Sequence, residues 1–307
     1  MDWTLLVIQL LNGVQLGILL FLLAAGLTLV FGIMDFVNLA HGSLYMVGAY
    51  FCATVTAWTG SFLLGVLAAL PLTFAVGIVV EVTVVRALYA RHHLDHVLAT
   101  FGLILFFDAS VHLIWGPEGI AIPLPEFLDG RVTILPGIEF PTYRLLIILV
   151  GLAVAAGLGY VVARTRAGML VRAGASIRWM LGALGVDVNK LFTLVFGAGA
   201  VLAGLAGMMI APIIEANIGM GNDILIVALV VIIIGGIGSI RGAFVAAILV
   251  GMIDTMGRSF LDDLMKLFLS DQNAETAAPA LSAMLIYILM AVILYFRPQG
   301  LFAPKAG

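Results

Sequence analysis

Lysine is almost missing from this chain. Lys190, Lys266 and Lys305 are the only three, and none follows a glycine. A Walker A loop needs a glycine-lysine pair, because its backbone amides cradle phosphates while the lysine reaches the terminal ones. If ATP drives this protein, another polypeptide supplies it. Cysteine is scarcer still. Cys52 stands alone, which excludes an intrachain disulfide and any cysteine-cluster metal site. Neither H-E-x-x-H nor G-x-S-x-G occurs, so a gluzincin-type metal centre and a hydrolase nucleophile elbow are excluded too. No Lys or Arg precedes Arg86. The first hydrophobic run therefore lacks the basic flank of a cleaved signal peptide and reads as a retained span. Charged residues make up only 10% of the chain, too few for a separate soluble domain of ordinary size.

What fills the space is apolar. Hydrophobic residues reach 63% and the mean hydropathy is +1.22, which defines an all-α, polytopic membrane bundle forming one domain over residues 1–307. Residues 5–32 would measure about 42 Å as one helix, against a hydrocarbon core of about 30 Å. That segment is expected to be tilted, broken or longer than one span. Gly13 and Gly17 within it form a G-x-x-x-G close-packing pattern. Further spans are expected at residues 44–58, 62–85, 97–115, 143–163, 191–212, 224–238, 243–256 and 281–296, about eight or nine crossings in all. Residues 258–278, with the run FLDDLMKLFLS, read as an outside segment carrying an amphipathic helix.

The orientation follows from one loop. Residues 164–190, RTRAGMLVRAGASIRWMLGALGVDVNK, hold five basic residues against Asp187 alone. Lys and Arg are retained on the cytoplasmic side, so this loop is placed inside, together with Arg86, Arg91, Arg241 and Arg297. The acidic, proline-rich stretch 116–141 then falls outside, and the C-terminus inside. Within the loop, Leu170, Ala173, Ile177, Leu181 and Leu184 recur at helical spacing. A short amphipathic helix is expected there, ended by Gly182 and Gly185. It is either a docking surface for a soluble partner or a helix resting on lipid headgroups.

Polar residues inside spans are costly, so each is a candidate for function. Asn38 and His41 flank a glycine-rich break in residues 32–43, and with Ser43 they suit the lining of a polar path. Glu215 and Asn217, just past Pro212, either meet an incoming solute or a delivery protein or belong to a plain exposed loop. Glu81 and Asp108 read as structural groups near span ends, pairing with Arg86 or facing headgroups, and Asp254 as an outer-edge residue. His92, His93 and His96 have spacing compatible with a metal, but beside Arg91 and Asp95 a solvated, headgroup-facing cluster is the simpler reading. Phe31–Ile33 before His41-Gly-Ser43 echoes Gly235–Ile237 before Arg241-Gly-Ala243. Paired interrupted helices in two halves of a transporter commonly flank a translocation path.

The run GLTLVFGIMDFVNLAHGSLYMVGAY at residues 26–50 resembles the N-terminal signature of LIV-type branched-chain amino-acid ABC permeases, most nearly the shorter, first permease of the pair. Val171-Arg-Ala, Leu184-Gly-Val186, GGIGSIRG at 235–242 and RPQGL at 297–301 agree with it in order and spacing. The resemblance covers nearly the whole chain, but members for leucine, urea, short amides and aromatic acids share these motifs. It implies a non-enzymatic permease subunit without a cofactor, at least one interrupted helix near Asn38 and His41, and a cytoplasmic coupling helix within residues 172–186. On that likeness Arg172, Ala173, Ile177, Arg178, Leu181 and Gly185 contact ATPase subunits. Implied partners are a second permease (sister or identical), two cytoplasmic ATPases, a periplasmic solute-binding protein and membrane lipid; none is a nucleic acid. Implied localisation is the bacterial inner membrane. Readings from other classes are a stand-alone secondary transporter or channel, and an intramembrane enzyme.

Overall fold

A computed structural model describes residues 3–176, 182 and 185–302. Ten helices are named here. They are α1 (Trp3–Met34), α2 (His41–Thr59), α3 (Phe62–Leu88), α4 (His93–Trp115), α5 (Thr142–Arg164), α6 (Arg166–Ser176), α7 (Val188–Ile214), α8 (Met220–Gly235), α9 (Ile240–Met265) and α10 (Asp271–Phe296). Seven of these are long and apolar enough to cross a membrane, and α8 is a shorter apolar helix. The polytopic bundle expected from composition is thus observed, with seven such helices among the described residues against the eight or nine crossings expected.

Direction follows from residue pairs. Gly13 lies against Met252 and Gly17 against Ile248, while Gly32 meets Gly238, so α1 and α9 run antiparallel. Thr73 of α3 packs on Gly204 and Gly77 on Ala200, so α3 and α7 do the same. Helix α6, the start of α7, the end of α1 and the start of α9 lie at one end of the bundle, here called the basic end. The two halves repeat this packing. Helix α1 lies on α9 as α7 lies on α3, α2 on α7 as α8 on α1, and α2 on α4 as α8 on α10. Helices α1–α4 and α7–α10 are therefore inverted counterparts. Small residues make the core possible: where Gly13, Gly17 and Gly251 meet, backbones touch directly.

This arrangement resolves some expectations and corrects others. Residues 5–32 belong to one unbroken 32-residue helix, α1, so the excess length is real and not a hidden break. The 258–278 stretch holds no separate amphipathic helix. Its first part continues α9 to Met265 and its last part opens α10 at Asp271, because Arg258–Asp254 and Lys266–Asp262 pair one turn apart along α9 and satisfy its charges. Asp254 accordingly sits within α9. Residues 116–141 are not all loop, since β1 (Arg131–Leu135) and β2 (Ile138–Pro141) form an antiparallel hairpin. Finally, the echo at residues 31–33 and 235–237 does not mark equivalent positions, because Gly32 and Gly238 touch at the basic end.

Candidate functional site

The equivalent positions are elsewhere. Helix α1 ends at Asp35 with φ 51°, and α7 ends at Glu215 with φ 68°; among the described residues these are the two non-glycine residues in the left-handed region. Both acids reverse the chain so that the next helix can begin inside the bundle. After Asp35 the chain runs back along α1 until His41 reaches Leu23, whose carbonyl accepts from His41 Nε2 at 3.1 Å. After Glu215 it re-enters through a backbone bridge between Ala216 and Ile120, and α8 begins at Met220. The starts of α2 and α8 then meet. A Cβ on Gly42 would lie 2.1 Å from the Gly221 carbonyl oxygen, and one on Gly221 2.0 Å from that of Gly42. Only glycine permits such contact.

This junction is polar and closed to solvent. Asn38 is 1% exposed, His41 0% and Ser43 2%. Both amide atoms of Asn38, Ser43 Oγ, His41 Nδ1 and Thr28 Oγ1 have no partner among the described residues. Neither helix start is capped by a side chain, so each keeps the partial positive charge of its N-terminus. A buried polar group without a partner costs about 1–3 kcal/mol, so these atoms are open to hydrogen bonds from water or a bound molecule. The set can hydrogen-bond a neutral or anionic group, and it holds no nucleophile–base pair. Asn38, His41 and Ser43, singled out from the sequence, are all buried in this segment. Glu215 and Asn217 are exposed and lie apart from them, on the approach to the α8 start.

A second constellation sits at the basic end. Glu81 is 0% exposed and opens a π-helical turn, Glu81–Val85, inside α3. Such turns place an extra residue in the helix and frequently mark functional positions. The Glu81 carboxylate accepts from Arg86 at 2.9 and 3.3 Å, from Thr193 Oγ1 at 2.8 Å and from the Tyr89 hydroxyl. Arg86 also reaches Thr193 Oγ1 at 2.8 Å. The pairing with Arg86 was legible, but not the burial or the link to α7. Asp108, for its part, accepts from Asn222 at 3.2 Å and pairs with no arginine among the described residues. His96 corrects the reading of a solvated histidine cluster. It is buried, its Nε2 donates to the Leu88 carbonyl at 3.0 Å, and its ring packs on Phe36.

The basic loop begins with α6, which packs on α5, α1 and α7. Arg172 is exposed and Ala173 half-buried, while Gly185 has φ 81° and ends the loop. Ile177, Arg178 and Leu181 lie outside the described residues. Asp187 then caps α7 by accepting from the Lys190 N–H at 3.1 Å. That bond, and then the Lys190 ammonium, hold its carboxyl below the usual carboxylate range. Six residues on is Thr193, so the loop runs directly into the Glu81 network.

Residues 9–294 match the family described as "Branched-chain amino acid transport system / permease component". The chain belongs to that family. It is 30% identical over 306 residues to the high-affinity branched-chain amino acid transport system permease protein BraD of Pseudomonas aeruginosa, covering 95% of this chain and 94% of that protein. It is 28% identical over 269 residues to LivH of Escherichia coli (strain K12), covering 82% and 86%. A probable branched-chain amino acid transport permease protein LivH of Methanocaldococcus jannaschii is 26% identical over 254 residues. No solved structure matches. The LIV-type resemblance is therefore established, and the chain is a multi-pass membrane permease of this family.

Proposed function

We propose that this permease is the first membrane subunit of an ATP-driven importer for branched-chain amino acids in the bacterial inner membrane. It works beside a second permease, with two ATPases at the basic end, a solute-binding protein at the other, and the C-terminus in the cytoplasm. The observation that carries this reading is the continuity at the basic end. Exposed Arg172 sits on α6, and the loop closes through the Asp187 cap onto Thr193 and the Glu81 carboxylate. A pull at Asp187 would reach α7 directly and α3 through Thr193 and Glu81. The chain has no nucleotide-binding lysine of its own, which fits energy arriving from outside.

In this reading Asn38, His41 and Ser43 bind the solute or its water as the α2–α8 junction opens, and Glu215 and Asn217 line the approach. The docked ATPases bias the permease between states only through contacts that differ between them. Related solutes that share the family's motifs (urea, short amides, aromatic acids) are the other cargo this reading admits.

The test is charge reversal at Arg172 and Arg178 in the assembled transporter, followed by membrane insertion, ATPase co-purification and leucine uptake. Insertion is expected to persist while docking and uptake are lost. Normal uptake in both variants, or uptake by this chain alone without ATPase subunits, would overturn the assignment.

A further inference from the structure

At the end opposite the basic loop, α9 and α10 diverge around a cleft of about 330 Å³ lined by Arg258, Asp262, Glu275, Ala278, Pro279 and Ser282. That volume falls in the range of small-molecule sites. Its floor is Ser282, 1% exposed, whose hydroxyl has no partner. Asp262 gives one carboxylate oxygen to Lys266 at 2.6 Å, while its other oxygen is buried and unpaired. Arg258 spends its Nε on Asp254 at 2.9 Å, leaving the Nη groups, which suit a carboxylate. Pro279 has no N–H to close onto the Glu275 carbonyl. The side chains of Arg258 and Glu275 are each 67% exposed, so water reaches the mouth.

We infer that this cleft binds the zwitterionic head of a free α-amino acid, its carboxylate on Arg258 and its ammonium among Asp262, Glu275 and Ser282. The argument is one of matched charge. Of the lining residues Arg258 is basic and Asp262 and Glu275 are acidic, with Lys266 pairing to both acids at 2.6 and 3.6 Å from outside the lining, so the cleft presents both signs of charge. A molecule carrying both charges a few bonds apart meets Arg258 with one end and the unpaired Asp262 oxygen and Ser282 hydroxyl with the other, and Ala278 and Pro279 line the cleft beside it. The site rests on the import reading and extends it, adding a station remote from the α2–α8 junction. The ethanolamine headgroup of a phospholipid carries the same pair of charges and is the rival source.

The test uses the full chain in phosphatidylglycerol nanodiscs with radiolabelled leucine as probe. Saturable binding is expected, weakened about tenfold or more by Arg258→Gln and by Ser282→Ala. Neither leucinamide nor 4-methylpentanoate, each lacking one charge, should compete. Ser282→Ala removes one oxygen and no ion pair, so it reads the site even if Arg258→Gln folds poorly. Absent binding, binding indifferent to Ser282→Ala, or displacement of leucine by phosphatidylethanolamine in the bilayer would each overturn the inference. Leucine uptake by the assembled wild-type transporter separates the two readings. Uptake with unchanged KM in both variants refutes the cleft alone, and no wild-type uptake refutes the import reading beneath it.

Discussion

Adding one methyl group at Gly42 should be enough to pry the two halves of this permease apart. The new Cβ would lie 2.1 Å from the Gly221 carbonyl oxygen and 2.8 Å from its carbon. Both atoms are backbone, so no side chain can swing aside. Reaching a tight but tolerable 3.4 Å requires the helices to separate by about 1.3 Å. Overpacking of this kind costs about 1–3 kcal/mol. Gly157 supplies the control. It is exposed in α5 with nothing within 4 Å, so Gly157→Ala should gain up to about 1 kcal/mol from helix propensity. The two alanines should therefore differ by about 1–4 kcal/mol, or about 2–8 °C in melting temperature at about 2 °C per kcal/mol. The chain carries its own reporter, because Cys52 is its only cysteine and is buried. A thiol-reactive fluorophore will therefore read unfolding without any engineering. Gly42→Ala should also slow leucine uptake by the assembled transporter. If Gly42→Ala melts with wild type and above Gly157→Ala, the junction is looser than the geometry requires and the reasoning fails.

Two further outcomes follow from the basic end. Arg86→Gln should destabilise more than Glu81→Gln, since it strands a carboxylate that is 0% exposed, and the double variant should recover part of the loss; a purely additive double variant would remove the network from the account. The Asp187 cap is also sensitive to acid. Its carboxyl titrates below the ordinary range, so its contribution is intact at neutral pH and is lost only as pH falls through that lowered value. Hydrogen exchange in the first turn of α7 should accelerate there in wild type and show no such step in Asp187→Asn.

Much of the bundle could be read from hydrophobic runs, because spans of apolar residues leave few alternatives in lipid. The break around Asn38 and His41 was legible for the same reason, since amides and imidazoles in such a run need an explanation. Other features were hidden because they depend on partners distant in the chain. Glu81 looks like a span-end acid until Thr193, more than a hundred residues on, is seen to share its oxygens. Nothing local to residues 81–85 signals the π turn. The inverted correspondence was sought in glycines, but Asp35 and Glu215 carry it, and these differ in every neighbour. The α9 extension was missed because Arg258 was taken as a boundary, whereas a one-turn pairing with Asp254 lets the helix run past it.

The contact between Gly42 and Gly221 also sets a mechanical ratio. From that point α2 runs 19 residues toward one end of the bundle and α8 runs 16 toward the other, arms of about 28 and 24 Å. A seesaw with its fulcrum there has a gain close to one. Rocking the halves by about 5° would swing each tip by about 2 Å, in opposite senses, so a small opening at one face is answered by a similar closing at the other.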